Sequence, residues 1–148
     1  MESDSDGLVL RPAEARDAEA LADLMTQLGY PSTPQDLARR LRDLAQGPGY
    51  HVLVAELRGT VVGAAAGQLA LGLERSGLFL RVTALVVDEA HVSQGIGRRL
   101  LAAIEAWGRG CGADASTLTS AHRRKAAHGF YERRGYACTG LRFFRGLR

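Results

Sequence analysis

A chain of 148 residues fits one domain, at roughly 100–200 residues each, and its 46% hydrophobic and 24% charged content excludes disorder as the main state. The longest apolar stretch, Val61 to Leu73, has 13 residues and contains Gln68, whereas a spanning helix needs about 20, so no membrane segment is expected. Net charge is +3 but uneven: residues 1–90 carry 8 basic and 13 acidic side chains (net −5), and residues 91–148 carry 11 and 3 (net +8), which points to an anionic ligand on the second half.

Residues 1–7 are acidic and polar and read as a disordered lead-in, with no basic-then-apolar leader, which places the protein in the cytoplasm. Residues 8–148 read as a single domain. Leu8-Val9-Leu10-Arg11 is a short strand ended by Pro12. Asp17 to Gln27 is a helix with Leu21, Leu24, Met25 and Leu28 on one face, stopped by Gly29. Ser32-Thr33-Pro34-Gln35 opens a second helix, with a hydroxyl cap and a proline where its missing N–H costs nothing. Leu37, Leu41 and Leu44 line that helix.

Strands follow: His51 to Leu57, then an Arg58-Gly59 turn, then Thr60 to Leu71, which together form a hairpin. A third strand spans Leu78 to Val87, and its uniformly apolar end, Ala84-Leu85-Val86-Val87, reads as buried on both faces. Gln94 to Leu101 opens a helix with Ile96, Leu100, Ile104 and Trp107 on one face. Ser116 to Thr119 is a short strand, Arg124 to Arg133 a helix closed by Gly135, and Tyr136 to Leu147 a last strand. The order β-α-α-β-β-β-α-β-α-β implies an α/β (α+β) fold, a mixed, mostly antiparallel sheet flanked by helices. Cys111 and Cys138 fit no metal or redox spacing and read as free thiols.

A buried strand running into Gly95-Ile96-Gly97 and a helix has the grammar of an anion site, because helix N-termini offer unpaired N–H groups and glycine lets phosphate oxygens reach the backbone. A dinucleotide fingerprint fails, since its third glycine position holds Leu100, and the lysine of a P-loop is absent. Coenzyme A fits, and so does an ordinary junction tightened by glycine. A basic nucleic-acid module is disfavoured by the lack of any recognition motif.

A second segment, Ala126 to Tyr136, carries the argument further. Leu85-Val86-Val87-Asp88 resembles the central strand of the GNAT superfamily of acetyl-CoA-dependent N-acetyltransferases. Val92-Ser93-Gln94-Gly95-Ile96-Gly97 resembles its Q/R-x-x-G-x-G/A loop, and Ala127-x-x-Phe130-Tyr131-Glu132-x-x-Gly135-Tyr136 its A-x-x-F-Y-E-x-x-G-F/Y segment. The resemblance implies acetyl transfer from acetyl-CoA to a small-molecule or peptide amine, without metal, nucleic acid or membrane. A homodimer is one arrangement it allows.

It also implies that coenzyme A is held by Leu85, Val86 and Val87, by Val92 to Gly97, and by Arg98 and Arg99. Tyr131 would be the acid that protonates the leaving thiolate. Val92 departs from the usual Gln or Arg and removes one side-chain contact with pyrophosphate, for which Arg98 and Arg99 can compensate. The short final hairpin bears on the shape of the acceptor pocket. The base is open among Glu74, Asp88, Glu89, His91 and His122 and, equally, a water-relayed proton path, and Arg81 stands where some relatives carry a catalytic Glu. A non-catalytic acyl-CoA sensor on the same fold is the alternative; Tyr131 speaks for the enzyme.

Overall fold

The structure, a computed structural model, describes residues 2–3, 7–119 and 125–148. Its centre is a six-stranded sheet in the order β1 (Glu2–Ser3), β2 (Leu8–Pro12), β3 (Tyr50–Leu57), β4 (Thr60–Ala70), β5 (Phe79–Val87) and β6 (Ser116–Leu118). Neighbours are antiparallel except β5 and β6, which are parallel. Helices α1 (Ala18–Leu28) and α2 (Pro34–Gln46) connect β2 to β3, α3 (Ile96–Gly110) connects β5 to β6, and α4 (Lys125–Arg133) follows β6. This is the mixed, helix-flanked sheet expected from the sequence.

Local chemistry explains where these elements start and stop. The Thr33 hydroxyl accepts the Asp36 N–H at 3.1 Å while the Asp36 carboxylate accepts the Thr33 N–H at 2.9 Å, a reciprocal cap ahead of Pro34. Arg58 and Gly59 both sit at positive φ (50° and 83°), the left-handed pair whose twist matches the flanking strands β3 and β4.

The core has two parts, because strand side chains alternate between faces. Leu53, Ala65, Leu80 and Val82 pack with Ile96, Leu100 and Ile104 of α3. Val54, Ala64 and Val86 pack with Leu21, Leu24 and Leu37 of α1 and α2. The glycines of β4 are needed because α3 lies directly on it. A Cβ at Gly67 would stand 2.8 Å from Leu80 Cδ1 and 3.0 Å from Ile104 Cγ1; one at Gly63 would stand 3.0 Å from Leu100 Cδ1. Gly67→Val is expected to destabilise by about 1–3 kcal/mol through overpacking. A thermal melt reads this as a loss of roughly 2–4 °C per kcal/mol for a chain of this size; an unchanged Tm would mean that α3 does not press on β4.

Glu2–Ser3 pairs antiparallel with Leu10 and Val9. One expectation needs correction. The last strand, placed over Tyr136 to Leu147, is not formed. Residues 136–148 have no regular secondary structure, and Phe143 and Phe144 are 89% and 82% exposed. Among the described residues this segment joins no ladder, and apolar content alone does not make a strand.

Candidate active site

The site begins at a defect in the sheet. Ala66 of β4 faces Ala84 of β5, but Gly67 faces Val82, so Thr83 is an extra residue on β5. Such a bulge bends its strand. On one side of it, Leu80–Val82 pair with Ser116–Leu118 of β6. On the other side, among the described residues, Ala84–Val87 pair only with β4. Among the described residues, the backbone groups of Leu85, Val86 and Val87 on the edge away from β4 have no strand partner. Val86 itself is buried toward α1 and α2, while Leu85 and Val87 are half-buried against the α3 cluster.

That edge leads into the anion-site turn. After Val87 comes a short 3-10 turn, Glu89–His91, then Val92 to Gly95 and the start of α3. Ser93 and Gly95 are both left-handed (φ 66° and 81°), and among the described residues no side chain caps the helix. Val92, Ser93 and Gln94 are exposed. An uncapped fifteen-residue helix presents its first N–H groups and the positive end of its dipole here. Arg98 curls back over the turn: its Nη2 would lie 3.4 Å from a Cβ on Gly95. Arg99 is half-buried and its N–H bonds the Gly95 carbonyl at 3.1 Å. Gly97 lies beside Val87 and Phe130: a Cβ there would make ordinary contacts of 3.6 Å with Val87 Cγ2 and 3.7 Å with Phe130 Cζ. Ile96 beside it is core.

α4 brings Tyr131 to the same place. Its side chain is 9% exposed and packs in the cluster that includes Leu85, Val87 and Phe130. The ring stands edge-on to Phe130 (5.5 Å) and to Tyr136 (6.2 Å). Tyr136 is itself fixed: its hydroxyl donates to Glu105 Oε2 of α3 at 2.7 Å and lies 2.7 Å from Ser116 Oγ of β6. Burial foremost, with the Glu105 carboxylate, holds the Tyr136 phenol well above its usual range, so it stays protonated. These partners lie 20 and 31 residues away in sequence, and no local pattern announces them.

The candidate bases fare unequally. Asp88 is committed. Its Oδ1 accepts from Gln27 Nε2 at 2.8 Å, and its Oδ2 accepts the Ala90 N–H and lies 2.9 Å from His91 Nδ1. The Gln27 bond, then His91, keep its carboxyl below the usual range, which makes it a weak proton acceptor. Glu74 and Glu89 are exposed, as is Arg81 on β5. His122, with Arg123 and Arg124, lies outside the described residues. Among the described residues, no three His, Cys, Asp or Glu side chains form a group that could hold a metal ion, and no helix is long and apolar enough to cross a membrane.

A bulge-split sheet with an uncapped helix at the opening is the frame of an acyl-CoA-handling transferase. Residues 18–136 match the acetyltransferase (GNAT) family model, and the chain belongs to that family: it is an acetyl-CoA-dependent N-acetyltransferase. It is 30% identical over 143 residues to the aminoalkylphosphonate N-acetyltransferase of Salmonella typhimurium, covering 93% of this chain and 90% of that protein. A GNAT family acetyltransferase from Staphylococcus aureus superposes with a TM-score of 0.80 at 25% identity, over 95% of this chain and 99% of that one. An aminoglycoside N-acetyltransferase solved in complex with CoA superposes over 100% of both chains with a TM-score of 0.84; at 15% identity this is a likeness of fold.

Proposed function

We propose that the domain formed by residues 8–148 transfers the acetyl group of acetyl-CoA directly to a primary amine, with Tyr131 as proton donor. The observation that carries this reading is the edge of β5 at Ala84–Val87, which among the described residues pairs with no strand on the side away from β4, running into the N-terminus of α3, where Gly95 offers no side-chain cap, with Tyr131 packed beside it. The amide-bearing arm of coenzyme A can pair with that edge as a strand would. Its pyrophosphate meets the N–H groups of the Val92–Gly97 turn, with Arg98 folded over it and Arg99 beside it. The strongly basic second half of the chain fits a ligand with several phosphates.

The chemistry then follows. An ordinary alkylammonium has a pKa near 10.4, so only about 0.04% is neutral at pH 7. The ammonium gives one proton to water, its nitrogen attacks the thioester carbonyl, and a C–N bond forms. A backbone N–H near Val86 or Val87 steadies the oxyanion. The C–S bond breaks, the departing thiolate takes the proton of the Tyr131 hydroxyl, and the second proton shed by the new amide nitrogen passes through water to restore that hydroxyl. The 30%-identical relative places aminoalkylphosphonates first among acceptors to try.

Coenzyme A release from acetyl-CoA, followed against a panel of amines led by aminoalkylphosphonates, tests the reading. Amine-dependent release is expected. Tight acetyl-CoA binding with no release for any amine would make the protein a sensor instead. Gly95→Val tests the turn: a β-branched residue at φ 81° costs about 1–3 kcal/mol of strain and forces the turn to rearrange. Calorimetry is expected to show acetyl-CoA affinity falling about tenfold or more; unchanged affinity would move the pyrophosphate elsewhere.

A further inference from the structure

Gln27 is an uncharged residue in the last turn of α1, 61 positions before Asp88, yet it makes three hydrogen bonds across that gap and within its own helix. Its Nε2 donates to Asp88 Oδ1 at 2.8 Å and to Asp23 Oδ2 at 2.9 Å, and its Oε1 accepts the Glu89 N–H at 2.9 Å. Asp88 in turn donates its backbone N–H to the Val62 carbonyl of β4 at 2.7 Å and uses its second carboxylate oxygen for Ala90 and His91. One amide side chain thus ties α1 to the end of β5 and to the 3-10 turn Glu89–His91, which feeds straight into Val92–Gly97. Beyond that root, Val92, Ser93 and Gln94 are exposed, with Ser93 held left-handed. The placement of the turn is therefore set at its two ends, by α3 on one side and by the Gln27–Asp88 clamp on the other.

We infer that Gln27 is a positioning residue for the cofactor-binding turn: acting through Asp88 and the Glu89 N–H, it holds Val92–Gly97 where the turn's N–H groups receive pyrophosphate. The inference rests on the acetyl-CoA site proposed above. It has a signature that a general packing role lacks. A displaced turn weakens only ligands that carry the pyrophosphate. The β5 edge is laid down by its ladder with β4 and Tyr131 by α4, so a donor that ends at the pantetheine arm does not sense the clamp.

The experiment compares acetyl-CoA with S-acetylpantetheine, which lacks the pyrophosphate and nucleotide, in the wild type and in Gln27→Met, a substitution of similar length that makes none of the three bonds. Gln27→Met is expected to raise the Kd and KM for acetyl-CoA about tenfold. The kinetic constants for S-acetylpantetheine, and kcat at saturating acetyl-CoA, stay within about twofold. Gln27→Glu alone sets a new carboxylate against both Asp88 and the exposed Asp23 and loses more affinity. Adding Asp88→Asn reverses donor and acceptor in the bond that reaches the turn, so the double variant is expected to regain the part of the loss carried by that bond, while the repulsion from Asp23 stays.

Equal loss for both donors, or no loss for either in Gln27→Met, would overturn the inference. So would a double variant no better than Gln27→Glu. If the wild type itself handled both donors equally well, the pyrophosphate site would fall, and the clamp's role with it. A wild type that discriminates beside a Gln27→Met that matches it would sink the clamp alone.

Discussion

Tyr131→Phe is expected to lower kcat by about 10²–10⁴-fold, the usual cost of losing a general acid, while acetyl-CoA affinity stays within about twofold. The ring is held from several sides, by Phe130, by Tyr136 and by the cluster around Leu85 and Val87, and phenylalanine preserves all of that packing. The helix end is likewise untouched, since the Tyr131 carbonyl, not its hydroxyl, accepts the N–H groups of Arg134 and Tyr136 at 3.0 and 3.1 Å. What disappears is one O–H. An ordinary phenol, with a pKa near 10, is protonated at pH 7 and close in basicity to an alkyl thiolate, so it can pass its proton as the C–S bond breaks. The penalty should shrink with an acetyl thioester of a more acidic thiol, which leaves without help. Measurement of kcat at saturating donor, with acyl transfer shown to limit the rate, decides it. Equal values for the two proteins, or a penalty independent of the leaving thiol, would reduce Tyr131 to packing.

What the sequence made legible was what is local. The Thr33-Pro34 cap, the Arg58-Gly59 turn and the apolar face of α3 are each written in a few adjacent residues and stand where expected. The Gly95–Gly97 motif stands at the start of α3, as its strand-to-helix reading expects, and its glycines differ. Gly95 supplies a left-handed backbone, whereas Gly97 has no such conformation and lies in ordinary contact distance of Val87 and Phe130. The last strand failed for the opposite reason. Leu141, Phe143 and Phe144 have strand character, but strand propensity counts only where side chains pack on a half-buried surface, and these residues are exposed. Gln27 was invisible because a glutamine on a helix face carries no signal of a carboxylate 61 residues later. The Glu105–Tyr136–Ser116 chain was hidden in the same way: the position of Tyr136 in its motif was legible, but not what its hydroxyl binds.

The largest expected loss of stability lies away from the chemistry, at Asp17. Arg11 is only 6% exposed on β2, and its guanidinium makes two 2.8 Å bonds to the two carboxylate oxygens of Asp17, itself 4% exposed, just before α1. A third bond, 3.1 Å long, goes to Glu56 of β3 and a fourth, 3.2 Å long, to the Pro12 carbonyl, while Arg11 Nε has no hydrogen-bond partner among the described residues. Asp17 also accepts the Glu14 N–H at 2.7 Å, so it fixes the entry to α1 as well as the arginine. Asp17→Ala leaves a buried guanidinium with Glu56 as its one carboxylate partner, and removing one member of such a pair costs about 3–5 kcal/mol. Against a total of roughly 5–15 kcal/mol for a typical domain, that threatens the fold, and urea titration reads it directly.

The pH dependence has a definite sign. Arg11 first, with the Glu14 N–H, holds the Asp17 carboxyl below the usual range against the opposing effect of burial. A carboxyl depressed in the folded state stabilises fully above its unfolded pKa, about 3.9. That stability is lost as pH falls through the lower folded value. Wild-type stability should therefore drop steeply below about pH 4, and Asp17→Ala should show a shallower drop there. The double variant Arg11→Met/Asp17→Leu separates the bond from the burden. If most of the loss in Asp17→Ala is an unpaired buried charge, removing that charge recovers much of it. A double variant as unstable as the single one would instead place the loss in the Glu14 bond at the start of α1.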